Sequence, residues 1–487
     1  MNTFNIAENF GTTSQAICQA LAERNAATRS KADASQYVYD GALSYLENVK
    51  FGDTNDDRKV PAKEAFFCDK FSAGITDDLV RSPKENKDYA YLFNGEYWEK
   101  REIDDLADVC QRLLEAVGAG IVYQQNASDA IAKEVIRKRF YTGGRFSPDN
   151  RLIAFPNGIL NIETGELLDF DPKWQTHYVI SDYNFDATAT CPLFNRLLET
   201  ALPDERDRLV LQESFGYLFF SDKRHEVITL LVGRGNDGKS TVIEAVSGAL
   251  GKGNISAYSL THITDERGYA IAGMVGKLGN ICFESGSLHI GNEALYKSYA
   301  SGEPMYARQL YRDGFLTTDY PASVVAVNNL PATLDHSGGF YRRAQIITFD
   351  NSIPADDVDP LFKMKLQQER AGVMNWVLAG YRRLLQQGHF TVSPNITKAK
   401  EQYRIETDNV ASFIDEQGYI PSETETQLLS VLYVSFAEWA KRYGYQPSHV
   451  RNLSSRLKSL GFTVEKIGGQ MKVFIAQKPK TDDGYPF

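Results

Sequence analysis

The spacing of apolar positions changes repeatedly along this chain, and each change marks a candidate domain. Up to about residue 60 the stretch AICQALAERNAATRSKADASQYVYDGALSYLENV keeps apolar positions three and four apart, which predicts helix. FGDTNDDRKVP then reads as a charged loop, and FNGEYW (Phe93 to Trp98) places an Asn-Gly turn between aromatic residues, a hairpin signal. IDDLADVCQRLLEAVG predicts an amphipathic helix opening on acids, as a helix N-terminus favours. A further helix is predicted over roughly Ser128 to Phe140. Across 151–190 the helical spacing is lost: RLIAFPNGILNIETGELLDF alternates short apolar runs with Asn-Gly and Thr-Gly turns, the pattern of short strands. Phe194 to Phe220 is helical again.

From His225 to about Phe349 strand, loop and helix patterns alternate, which predicts an α/β domain, and Gly372 to Gln387 returns to helix. The tail from about Ala411 predicts a helix (Leu428 to Tyr443), a turn at Tyr445-Gln446-Pro447, a second helix (Ser448 to Leu460) and two strands (Phe462 to Ile467, Gln470 to Ala476) around Gly468-Gly469. Helix, turn, helix, hairpin is the winged-helix order. KPKTDDGYPF is expected to be disordered. The expected division is a helical or mixed N-terminal region (1–150), a strand-rich and helical connector (151–222), an α/β domain (223–400) and a winged helix (408–478).

Composition narrows the class. The 487 residues are 43% apolar and 24% charged, a globular profile long enough for several domains. No run approaches eighteen apolar residues, and MNTFNIAENFGTTSQ lacks a secretory pattern, so a cytoplasmic protein without membrane attachment is expected. Five cysteines without a C-x-x-C pair, and seven scattered histidines, disfavour disulfide frameworks and protein-caged metal; Mg²⁺ carried by a nucleotide stays open. Net charge is −10, yet Pro447 to Lys480 carries Arg451, Arg456, Lys458, Lys466, Lys472, Lys478 and Lys480 against Glu465 alone. That local excess is the kind of patch that binds phosphate.

The chemistry concentrates in EVITLLVGRGNDGKSTVIEAVSGAL. An apolar strand, Val227 to Val232, runs into Gly233-Arg234-Gly235-Asn236-Asp237-Gly238-Lys239-Ser240-Thr241, which matches G-x-x-x-x-G-K-[ST], and a helix follows. Glycines let backbone N–H groups curl round phosphates at a helix N-terminus. Lys239 then reaches the β- and γ-phosphates of ATP, and the Ser240 hydroxyl joins the Mg²⁺ shell. In KLGNICFESG the apolar strand Leu278 to Phe283 ends on Glu284, a candidate to orient Mg²⁺ or activate water. Ser323 to Val327 ends on Asn328, a candidate to position that water. Arg342-Arg343 precede another apolar strand, and a guanidinium fork suits a phosphate across a subunit boundary.

The ordered set Gly233–Thr241, Glu284, Lys297, Ser301-Gly302-Glu303, Arg308 to Arg312, Asn328-Asn329-Leu330-Pro331 and Arg342-Arg343 resembles superfamily 3 helicases. It is most similar to the helicase part of phage, plasmid and poxvirus-type primase-helicases. The likeness runs back through Phe155-Pro156-Asn157-Gly158, similar to that family's pre-helicase or collar region, and forward into the tail. It implies an AAA+-like P-loop ATPase acting as a 3′ to 5′ DNA helicase, as a homo-hexameric ring, for replication of a phage, plasmid or mobile element. It also implies a DNA-gripping hairpin, here Met305 to Leu310 and Phe315 to Thr318 with Tyr311-Arg312-Asp313-Gly314 at its tip. Tyr311, Arg312, Lys297, Arg451 and Lys458 are the candidate DNA contacts. The chain departs from the family in having Asp237 where Asn is usual and Ser285 after Glu284, and residues 1–90 carry no paired-acid primase signature, so a separate primase is the expected partner. The alternative is an ATP-switched DNA-binding or regulatory protein that does not unwind processively.

Overall fold

The computed structural model describes residues 33–49, 68–83, 89–117, 127–284, 290, 292–331, 338–351, 361–407, 409–442, 447 and 449–477. The helical expectation before residue 33, most of the Tyr445 to Pro447 turn and the 478–487 tail therefore lie outside the described residues. The chain divides into two compact units, one of Met1–Cys191, Ala245–Ile255 and Met364–Leu378, the other of Pro192–Glu244, Ser256–Lys363 and Ala379–Phe487. Among the described residues no helix is long and apolar enough to cross a membrane.

In the first unit, α1 (Ala34–Leu46), α2 (Ile103–Ala116) and α3 (Ala127–Thr142) accompany a three-stranded antiparallel sheet, β1 (Val80–Arg81), β2 (Tyr89–Phe93) and β3 (Trp98–Glu102). The hairpin read from FNGEYW is present, and its turn closes because Asn94 Oδ1 accepts from the N–H groups of Glu96 (2.9 Å) and Tyr97 (2.8 Å). Trp98 is fully buried with Tyr37, Phe71, Phe93 and Phe146, and its indole N–H donates to the Pro172 carbonyl. The region is thus mixed rather than all helical. A second sheet, β4 (Leu152–Phe155), β5 (Gly158–Asn161) and β6 (Leu167–Leu168), follows the short-strand pattern. Gly158, at φ +143°, turns β4 into β5 where any Cβ would meet the Leu168 carbonyl at 2.7 Å. Asn157 beside it is bonded through both ends of its amide to the backbone of Phe185.

The second unit opens on α4 (Pro192–Ala201) and α5 (Glu205–Gly216) and then builds a five-stranded sheet. Its strands are β7 (Ile228–Val232), β8 (Ile255–Ser256), β9 (Gly279–Glu284), β12 (Ser323–Val327) and β13 (Ala344–Thr348), in the spatial order β13-β7-β12-β9-β8. The β13, β7, β12 and β9 pairings are all parallel. Such strands are covered on both faces, which is why ITLLV and SVVAV read as continuous apolar runs. Between them lie α6 (Lys239–Leu250), counted with the first unit from Ala245, α7 (Leu260–Ile263), α8 (Tyr269–Met274), α9 (Glu293–Ser301) and the hairpin β10 (Met305–Ala307) and β11 (Phe315–Thr317), with α10 (Gly338–Tyr341) before β13. The hairpin strands are shorter than the sequence suggests: Arg308 to Gly314 form the connection, because pairing ends at Ala307 with Phe315. Three helices follow: α11 (Phe362–Gln368) and α12 (Arg370–Gln387), whose stretch Met364–Leu378 is counted with the first unit, and α13 (Pro394–Thr407). Nothing in the sequence reading anticipated α13; its Tyr403 is buried beside the sheet core and donates to the Pro331 carbonyl.

The tail of this unit carries α14 (Asn409–Glu416), β14 (Tyr419–Leu428), α15 (Leu429–Arg442), α16 (Val450–Ser459), β15 (Val464–Ile467) and β16 (Gln470–Gln477). Both predicted helices and the hairpin are present. Strand β14, which the sequence reading missed, pairs with β16 in a sheet of order β14-β16-β15. PSETETQ has no apolar alternation because the strand is mostly exposed and its pairing with β16 is interrupted between Pro421 and Thr426, where Ser422 Oγ accepts from the N–H groups of Thr424 and Glu425. Phe413, Leu432, Phe436, Leu453, Leu457 and Val473 fill the core beneath.

Candidate functional site at the carboxyl edge of the parallel sheet

Three candidate elements converge where the central strands end. In register, Val327 lies beside Val232 on one side and Glu284 on the other, so Gly233, Asn328 and the end of β9 share one sheet edge. With strands about 4.8 Å apart, Glu284 sits roughly 10 Å from Val232, and Asn328 follows the strand between them. Asn328 is exposed there. The crevice outside the carboxyl ends of parallel strands is where open α/β sheets take ligands.

The loop after β7 has the backbone its sequence calls for. Gly235 (φ +101°), Asn236 (φ +56°) and Gly238 (φ +87°) all hold positive φ, which bends the chain into a cradle before Lys239 starts α6. Gly233 is needed for a different reason: a Cβ there would strike the Asp237 carboxylate, the Lys239 ammonium and the Phe349 carbonyl. Arg234, Asn236 and Ser240 are exposed and Thr241 is half-buried.

Asp237 is the unexpected member. Asp237 is 4% exposed, and its carboxylate contacts the ammonium of Lys239, a residue 5% exposed. It also accepts from the N–H groups of Gly235 (3.1 Å) and Lys239 (3.2 Å). The sequence reading treated this position only as a departure from an Asn. Its two-residue spacing from Lys239 was the available clue to a counter-ion.

The arginine pair lies at the other end of the sheet. Arg343 immediately precedes β13, and its carbonyl accepts from Ile228 N–H at the start of β7 (2.8 Å). The length of β7, about 13 Å, therefore separates the pair from the loop. The two arginines differ. Arg343 is buried, donates through Nε (3.0 Å) and a terminal nitrogen (2.7 Å) to Ser301 Oγ, and reaches the Gly339 carbonyl. Arg342 keeps 63% of its side chain exposed and pairs with Glu226 at 3.0 Å.

The hairpin tip presents Tyr311 more fully than Arg312. Tyr311, at φ +61°, is fully exposed, and Leu310 and Leu316 are largely so, whereas Arg312 is only half-exposed. At Gly314 the outer edge of the Tyr306 ring occupies the space of a Cβ, so a larger residue there would displace that ring. Lys297 lies half-buried on α9, outside the hairpin. In the tail, Arg451 and Lys458 are both exposed on α16.

Comparison with known proteins adds a family context. Residues 64–203 match a family described as D5 N terminal like, and residues 231–343, from β7 to Arg343, match a family of unknown function, DUF5906. Over 340 residues the chain is 22% identical to "Putative helicase 121R" of Invertebrate iridescent virus 3, covering 59% of this chain. The chain spans about a third of that relative's length, 34%. Among solved structures, the apo A form of the NrS-1 C-terminal region aligns over 81% of this chain and 95% of its own, at 11% identity and a TM-score of 0.41. Its 305–718 form aligns over 82% and 96%, at 10% identity and a TM-score of 0.42. The D5 N terminal-like match and the viral relative together support a primase-helicase-like family for this chain.

Proposed function

We propose that this chain is an ATP-driven DNA helicase of the superfamily 3 type, working in replication as a ring of identical subunits and travelling 3′ to 5′. The observation that carries this reading is the sheet itself. Numbered along the domain, its order β13-β7-β12-β9-β8 is 5-1-4-3-2, with the glycine-rich loop after the first strand, which supports the AAA+-like architecture that the sequence resemblance implies. Lys239 would bind the β- and γ-phosphates of ATP, and the loop N–H groups would hold the remaining phosphate oxygens. Mg²⁺ carried with ATP would neutralise developing charge, and the exposed Ser240 hydroxyl at the start of α6 fits its shell. Glu284 and Asn328, at the ends of neighbouring strands, are the groups to orient water.

Arg342 and Arg343 cannot serve the loop of their own chain across the length of β7. A ring supplies the geometry that one chain lacks, since a neighbour's loop can meet the exposed Arg342. Arg343, tied to Ser301 and Gly339, is the supporting member. The tail, with α15 and α16 followed by the β15–β16 wing, is assigned as a winged helix that loads the motor on DNA.

The test is strand displacement on duplexes with a 3′ or a 5′ overhang, beside ATP hydrolysis with and without single-stranded DNA. Unwinding from the 3′ overhang alone is expected. DNA-dependent hydrolysis without displacement on either substrate favours the ATP-switched regulator instead.

A further inference from the structure

The segment that enters β7 makes a tight turn, with Glu226 N–H bonded to the Lys223 carbonyl at 2.9 Å and Glu226 at φ +50°. Its two ends hold different machinery. Lys223 is buried, 8% exposed, and among the described residues no carboxylate pairs with it. Its amine donates to the carbonyls of Pro321 (2.7 Å) and Tyr299 (3.3 Å) and lies 3.8 and 3.9 Å from the ring centroids of Tyr299 and Tyr320. Burial pulls its pKa well below the ordinary lysine value, while the carbonyls and ring faces favour the charged form; either form donates to both carbonyls.

Those contacts sit at both roots of the hairpin. The upstream root is the end of α9, capped by Gly302 at φ +72°, where a Cβ would lie 3.2 Å from Lys223 Cβ. The downstream root is Tyr320-Pro321, leading from β11 into β12. Tyr320 also ties the roots together, through its hydroxyl to the Glu303 carbonyl at 2.5 Å. At the other end of the turn, Glu226 pairs with Arg342 (3.0 Å) and Arg343 (3.1 Å), and Arg343 returns to Ser301 in the last turn of α9. Hairpin roots, turn and arginine pair thus form one closed set of contacts within the second unit.

We propose that the Lys223–Glu226 turn is the joint that couples the arginine pair to the DNA-facing hairpin, with Lys223 as its positioning residue. This rests on the helicase reading above. A contact made by Arg342 with a neighbour's nucleotide would pull on Glu226, and the turn would pass that displacement to the roots three residues away. A side chain that only filled space would need no donor; two carbonyls from two different roots are what an articulated anchor requires.

The experiment compares wild type, Lys223→Met and Tyr320→Phe in the full chain. Lys223→Met keeps the stem and removes the donor; Tyr320→Phe keeps the ring over Lys223, removes the hydroxyl that ties the roots through the Glu303 and Ser298 carbonyls, and serves if the first variant fails to fold. The readouts are melting temperature, ATP hydrolysis without DNA, and the ratio by which single-stranded DNA stimulates it. In the folded variants hydrolysis without DNA is expected within about twofold of wild type, while the stimulation ratio falls about fivefold, the equivalent of one lost hydrogen bond. Equal loss of both rates, or a wild-type ratio in both variants, overturns the joint. A wild-type protein that DNA does not stimulate overturns the helicase reading and the joint with it.

Discussion

Asp237 and Lys239 neutralise each other inside the glycine-rich loop, with the Asp237 carboxylate also accepting from two loop N–H groups. A carboxylate there is at odds with a phosphate cradle. A phosphate bound by Lys239 would stand about 5 Å from it, and the repulsion at an effective dielectric near 20 is about 3 kcal/mol. An amide keeps an acceptor for the N–H groups and removes that charge. Asp237→Asn is therefore expected to tighten nucleotide binding by tenfold or more, read by titration with a fluorescent ATP analogue. Unchanged or weaker binding would show that the carboxylate serves only the shape of the loop.

Lys239→Ala is expected to cut hydrolysis by roughly a hundred- to a thousandfold, since charge developing on the γ-phosphate loses its partner. The fold should persist, because α6 and β7 hold the loop from both ends. Activity near wild type in a folded variant rejects the site.

The two arginines separate in their effects. Arg343→Ala leaves Ser301, Gly339 and Glu226 without a shared donor and should lower the melting temperature as well as activity. Arg342 is mostly exposed, and an exposed ion pair contributes about 0–1 kcal/mol, so Arg342→Ala should keep stability while losing hydrolysis. Mixing folded Arg342→Ala with Lys239→Ala should recover part of the ATPase. A mixture no better than its components places the finger elsewhere.

How far the sequence could be read depends on what each segment buries. ITLLV, SVVAV and the turn after β7 were legible because a buried parallel strand and a loop held at positive φ each restrict residue types severely. Strand β14 was not, since its exposed middle bulges out of register between Pro421 and Thr426 and leaves no alternating pattern to read. Lys223 and Glu226 sit in SDKRHEV, which reads as solvated charge; only the folded chain brings Tyr299, Tyr320 and Pro321 around the first and the arginines to the second. Asp237 was visible as a residue, but its role depends on a contact that spacing alone does not give.

Glu213 offers a test of stability away from the site. It is fully buried on α5, pairs with Arg383 at 2.7 Å and accepts from the Thr391 N–H and hydroxyl. Glu213→Ala leaves Arg383 with only the Leu209 carbonyl and the Gln212 side chain as acceptors and Thr391 without its partner, and should cost about 3 kcal/mol, seen as a lower urea midpoint for the second unit. Glu213→Gln, which can still accept, should cost less. Equal losses would mean that packing, not the ion pair, dominates there.

The tail tests DNA loading, and the structure fixes where it can be cut. Helix α13 belongs with the sheet, since Tyr403 bonds Pro331 and Lys400 donates to the Arg342 carbonyl at 3.0 Å, so a truncation must follow Thr407. A gentler probe leaves the domain in place. Arg451 and Lys458 are seven positions apart on α16, within about 20° of one face, and both are exposed, whereas half-buried Arg456 turns away and bonds Ser459. Arg451 itself lines a groove of about 430 Å³ together with Leu428, Leu429, Val450, Met471 and the polar Ser430, Ser454 and Gln470, so the same face can also take a protein segment. If α16 meets DNA, Arg451→Glu with Lys458→Glu should weaken duplex binding and reduce the slope of log affinity against log salt by about 2, roughly one counterion per contact. If the groove docks a protein instead, the same variant will keep its DNA affinity and salt slope, and Met471→Asp will disturb only assembly with the partner.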